Sequence, residues 1–133
     1  MNTKRYALAA VAVFAFIFLF EWVWHGILLK DMYQKTMSVW RPEADMMHFF
    51  PLGILIKAAI ALILTFIFTR HYEGGGLSEG LRFGTYIGLL LAVMNAGWYP
   101  YLPVPAMLAA LWAAGGLIMG LGVGAVASLV YKN

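Results

Sequence analysis

From Tyr6 to Leu29 the chain carries a single charged residue, Glu21. A helical segment of about 20 mostly apolar residues is enough to cross the hydrocarbon core of a bilayer. Inside lipid no water satisfies backbone N–H and C=O groups, so such a run must close its hydrogen bonds within itself, as a helix does. Three further apolar runs follow, and the four together predict spans at about 6–29, 46–69, 81–98 and 106–131. The implied fold is all-α: a membrane-spanning four-helix bundle, up-down-up-down, built as a single integral membrane domain over residues 1–133.

The composition points the same way. Hydrophobic residues make up 63% of the chain and charged residues 11%, too few polar groups to cover a soluble globule of this size. A net charge of +3 does not make a nucleic-acid surface, because Lys and Arg occur singly or in the one pair Lys4-Arg5 and form no stripe. Cysteine is absent, which removes disulfides, thiolate metal sites and a cysteine nucleophile. The short basic start resembles that of a secretory signal, whose apolar region runs about 7–15 residues and ends at small side chains. Here the run continues through Phe14, Phe16, Phe18 and Phe20 into Glu21-Trp-Val-Trp-His25, and so predicts a retained transmembrane helix.

A charged side chain within lipid is costly and usually meets a partner on another helix. Glu21 lies eight residues before Leu29, roughly 12 Å along a helix, and Lys57 lies six after Pro51, roughly 9 Å. In an antiparallel hairpin the two fall at similar depth. Gly53 and Ala61, four residues to either side of Lys57, suit close approach by a neighbouring helix; the alternative is a lysine that snorkels to the headgroups. His25 shares the face of Glu21 four residues on, a spacing that can hold a proton or a metal ion or form a plain interfacial patch. Asn95, near the outer end of the third run, completes a candidate intramembrane polar cluster of Glu21, His25, Lys57 and Asn95, with a structural hydrogen bond as its expected role.

The loops carry weaker signals. Asp45 reads as the N-cap of the second helix, with Pro51 bending that helix or marking the start of its span. Met32, Met37, Met46 and Met47, with His25 and His48, gather soft groups that suit Cu(I), although methionine is equally an apolar filler. His25 and His48 could also serve as axial haem ligands. No regular ligand motif joins these residues, so no metal and no cofactor is assigned. Gly74-Gly75-Gly76 breaks the helix and Ser78 reads as a cap for the next one. Without a following Gly-Lys-Ser/Thr or a preceding strand, those glycines make no phosphate loop.

Gly80, Gly84 and Gly88 recur every four residues, as do Gly116, Gly120 and Gly124 followed by Ser128. Ladders of this kind let helix backbones approach closely. Counted from Arg82 and Lys132, the two fall at matching depths, so helices three and four are expected to touch through them; the rival is a homo-oligomer contact. With four spans both termini share a face bearing Lys4, Arg5, Arg70, Arg82 and Lys132, against Lys30, Lys35 and Arg41 on the other. The excess of basic residues places both termini in the cytoplasm of a cell (inner) membrane. All five tryptophans then fall towards the outer side, which makes that face the candidate for a ligand or partner.

The segment Trp24-His-Gly-Ile-Leu-Leu-Lys-Asp-Met-Tyr33 and the four-span layout resemble small uncharacterised bacterial integral membrane families. The resemblance implies the layout and brings no activity with it. The small multidrug-resistance exporters also have four spans and a glutamate in the first, but this chain departs from them in its long first loop, in Lys57, and in lacking their compact loops. Ser38, Ser78 and Ser128 have no histidine at a spacing that suggests a catalytic pair. The expected function is therefore that of a non-enzymatic structural or accessory subunit, in contact with the lipid bilayer and with a protein partner or a second copy of itself. The alternative is a small oligomeric proton-coupled transporter that uses Glu21.

Overall fold

Asn2 starts the first helix: its side-chain oxygen accepts the Arg5 N–H at 3.1 Å, satisfying a donor that the helix start leaves free. The computed structural model describes residues 1–132, and among them α1 spans Thr3–Val23, α2 Lys30–Lys35, α3 Glu43–His48, α4 Phe50–Arg70, α5 Gly76–Ala96 and α6 Ala106–Val130. The fold is an all-α four-helix bundle in which α1, α4, α5 and α6 are each long and apolar enough to cross a membrane.

Several joints differ from the sequence expectation. Between α1 and α2 the chain makes a π-helical turn over Trp24–Leu28, closed by Leu29 N–H on the Trp24 carbonyl at 3.0 Å. The second apolar run is two helices rather than one. α3 follows Pro42, with Asp45 inside its first turn rather than at the cap. The break falls at Phe49, and Pro51 sits in the first turn of α4, where a missing N–H leaves no bond unmade. α5 begins at Gly76, ahead of the expected span, and Ser78 lies within it and caps nothing. That duty belongs to Glu79: its buried carboxylate accepts the N–H groups of Glu73 at 2.8 Å and Gly75 at 2.7 Å, near the helix N-terminus where negative charge is favoured.

α6 is the central helix. Within its most apolar stretch 44% of residues are buried, against 22% in each of the other three. It packs on α5 along most of its length and on α1, while α4 leans mainly on α1. The paired residues run in opposite senses along each of these seams. Tyr6 meets Leu62 where Glu21 meets Lys57, and Gly80 faces Ser128 where Gly88 faces Leu117. One core at the end bearing both termini joins Ala9, Val13 and Ile17 of α1, Ala61 and Phe68 of α4, and Met119, Val123 and Ala127 of α6. A second core at the opposite end gathers Leu29, Val104, Leu108, Ala109 and Trp112 under Tyr33, Val39 and Trp40 of the first loop. In lipid such cores hold through close van der Waals contact, since the surroundings are as apolar as the interface.

Candidate functional site

Glu21 sits one turn before the π-helical turn and Lys57 two turns into α4, so the hairpin brings both to one level. The Lys57 ammonium lies 3.0 Å from a Glu21 carboxylate oxygen, with the side chains 25% and 31% exposed respectively. Among the described residues this is the one ion pair. Of the two small neighbours of Lys57, Ala61 is buried in the core. Gly53 is not a close-approach point: nothing lies within 4 Å of where its Cβ would stand.

The π-helical turn gives His25 a different partner. Its Nδ1 lies 2.6 Å from the Tyr33 hydroxyl, which also accepts the Trp112 indole N–H at 2.7 Å. An indole only donates, and a phenol has one proton to give. With the Tyr33 oxygen accepting from Trp112, the direction of its bond to His25 Nδ1 follows the imidazole tautomer. Burial pushes the Tyr33 phenol above its ordinary value; the Trp112 hydrogen bond opposes this and the Glu21 charge adds to it. Trp40 closes the arrangement edge-on to both Tyr33 and Trp112 and donates its N–H to Thr36 at 2.9 Å.

Asn95 joins this network from α5. Its side-chain N–H donates to the Trp112 carbonyl at 3.1 Å. The expected cluster is therefore two connected units: the Glu21–Lys57 pair between α1 and α4, and a chain of hydrogen bonds from Asn95 through residue Trp112 and Tyr33 to His25. Tyr33, Trp112 and Thr36 are outside the polar cluster expected from the sequence, which marks Tyr33 only within the Trp24–Tyr33 segment and Trp112 only as one of the outer tryptophans. The available signal was chemical, because a buried Trp or Tyr needs a partner for its polar atom.

The glycines line the α5–α6 seam. A Cβ on Gly84 would lie 2.6 Å from the Gly120 carbonyl oxygen, and one on Gly88 at 2.6 Å from that of Leu117. A Cβ on Gly124 would collide with the Gly80 carbonyl oxygen, and one on Gly116 would stand 2.9 Å from both the Leu91 carbonyl carbon and the Asn95 amide nitrogen. Ser128 faces Gly80 and turns its hydroxyl onto Ala125 O in its own helix at 2.9 Å. Gly115, outside either ladder, makes room for the Trp24 indole, whose N–H reaches Leu111 O at 3.1 Å.

Among the described residues no three His, Asp or Glu side chains converge as metal ligands. His48 stands exposed in α3, edge-on to the Phe49 ring, and Met37, Met46 and Met47 are exposed as well. Comparison of the chain with protein-family models, curated proteins and solved structures finds no match.

Proposed function

We infer that the chain is a non-enzymatic, four-span structural or accessory subunit of a cell (inner) membrane complex, its spans alternating up-down-up-down and both termini cytoplasmic. The observation that supports this is how the intramembrane polar groups are used. Glu21–Lys57 fastens α1 to α4, Asn95 fastens α5 to α6, and the Trp112–Tyr33–His25 chain fastens the first loop to α6. Each of these contacts ties two elements together. Charged pairs in a low-dielectric setting fix register better than they add net stability, which suits a scaffold. At the loop end Trp22, Trp98 and Tyr101 remain exposed and form the face offered to a partner. Purification in mild detergent should recover one partner at equal stoichiometry, and Trp98→Ala should lose it. A lone chain in both cases overturns the reading.

A second reading keeps Glu21 as the exchangeable site of a proton-coupled transporter. It is favoured by the 31% exposure of the Glu21 side chain beside a π-helical turn, a distortion that recurs at functional sites. Proteoliposomes should then show pH-driven flux that Glu21→Gln abolishes. Flux that survives in the variant removes the idea.

A further inference from the structure

Between the Tyr6 hydroxyl, which donates to Leu62 O at 3.1 Å, and the Glu21–Lys57 pair, the α1–α4 seam gapes. A slot of about 350 Å³ opens there, walled by Tyr6, Ala7, Ala10 and Phe14 of α1 and by Ala58 and Leu62 of α4. Three alanines create it by withholding the bulk that Leu and Phe supply elsewhere along these helices. Its lining is almost wholly apolar, and the Tyr6 hydroxyl is already engaged. An acyl chain laid along this open groove makes dispersion contacts with both helices at once.

Length and charge identify the occupant. From Tyr6 to Phe14 the helix rises roughly 12 Å, close to the roughly 15 Å of hydrocarbon in one leaflet. The mouth lies at the basic end of the hairpin. Lys4 and Arg5 immediately precede Tyr6, and Arg70 ends α4, brought to the same level by the Thr69 hydroxyl, which donates to the Met1 sulfur at 3.3 Å. Lys4 and Arg70 are exposed and Arg5 is half-buried, and none of the three is in an ion pair among the described residues. Basic side chains at this level attract anionic headgroups.

We propose that the α1–α4 slot is a binding site for one anionic glycerophospholipid, with an acyl chain between Ala7, Ala10 and Ala58 and the phosphate on Lys4, Arg5 and Arg70. The occupant is drawn from the leaflet on the side of the chain termini. Native mass spectrometry of the whole chain, released from mild detergent with phosphatidylglycerol or phosphatidylcholine of equal chain length, tests this. One phosphatidylglycerol should remain bound under conditions that strip phosphatidylcholine. Lys4→Gln with Arg5→Gln should weaken that retention on the order of tenfold and abolish the preference between the two lipids. Ala7→Phe, at an exposed wall position, should cut retention by filling the slot while helix content stays constant; Ala58→Phe repeats the test from the other wall. Equal retention of the two lipids by the unaltered chain, or unchanged retention in both Phe variants, overturns the proposal and leaves ordinary boundary lipid as the occupant.

Discussion

The Trp112 indole N–H and the Tyr33 hydroxyl meet at 2.7 Å although 79 positions separate them in the chain. This bond pins the first loop to the central helix, and it makes the loop end sensitive to alkali. The folded phenol sits above its ordinary value of 10.0, first through burial. In the unfolded chain the proton leaves at that ordinary value, so the stability Tyr33 contributes is fully present below it. It is lost as pH rises towards the higher folded value. Thermal unfolding in detergent should therefore weaken through this alkaline window in the native chain and less so in Tyr33→Phe. Trp112→Phe should push the tyrosinate absorbance transition of Tyr33 further up, because the Trp112 donor holds it down; a downward move would contradict the geometry.

Glu21→Gln and Lys57→Met should each destabilise the protein, and the double variant should recover part of the loss. A coupling energy of about 0.5–3 kcal/mol is expected for groups in direct contact. Additive effects in detergent unfolding would show that the 3.0 Å pair does not couple the hairpin.

Gly124 and Gly53 form an internally controlled comparison. A Cβ at Gly124 meets the Gly80 carbonyl and the Gly84 backbone, whereas one at Gly53 meets nothing. Gly124→Ala should cost about 1–3 kcal/mol through overpacking. Gly53→Ala should stabilise by roughly 0.5–1 kcal/mol, since the helix is spared the entropy of glycine. Equal effects would mean that α5 and α6 can part without penalty.

Thr65 is fully buried in α4, and its hydroxyl has no hydrogen-bond partner. A buried unsatisfied hydroxyl is costly, and replacing it by an apolar group of like shape removes that cost. Thr65→Val should raise the melting temperature, by an amount equivalent to about 1 kcal/mol. A fall would reveal a partner for the hydroxyl.

The helices and their apolar character were legible because lipid leaves the backbone one economical solution over each long run. The like depth of Glu21 and Lys57 followed from the fixed rise of a helix. Other features depend on tertiary contact and left no local trace. The π-helical turn at Trp24–Leu28 accompanies the seating of Trp24 against Gly115, far along the chain. Tyr33 and Trp112 find each other only once α6 is in place. Ser78 matched the composition of a cap, yet the deeper Glu79 carboxylate reaches back to two backbone donors at once. The split of the second run at Phe49 turned on where Pro51 could sit without breaking a bond, for which the sequence offered two settings.

α5 rests chiefly on α6, glycine against glycine, and makes little contact with α1 or α4. Yet α6 follows α5 in the chain. During synthesis the third span therefore enters the membrane before the surface it fits has been made, and its row of bare glycines faces lipid in the interval. α1 and α4 can zip together while translation continues; the second half of the bundle waits for its final helix. Assembly is thus ordered in time by the place of one helix, and a defect confined to α6 should strand α5 as well.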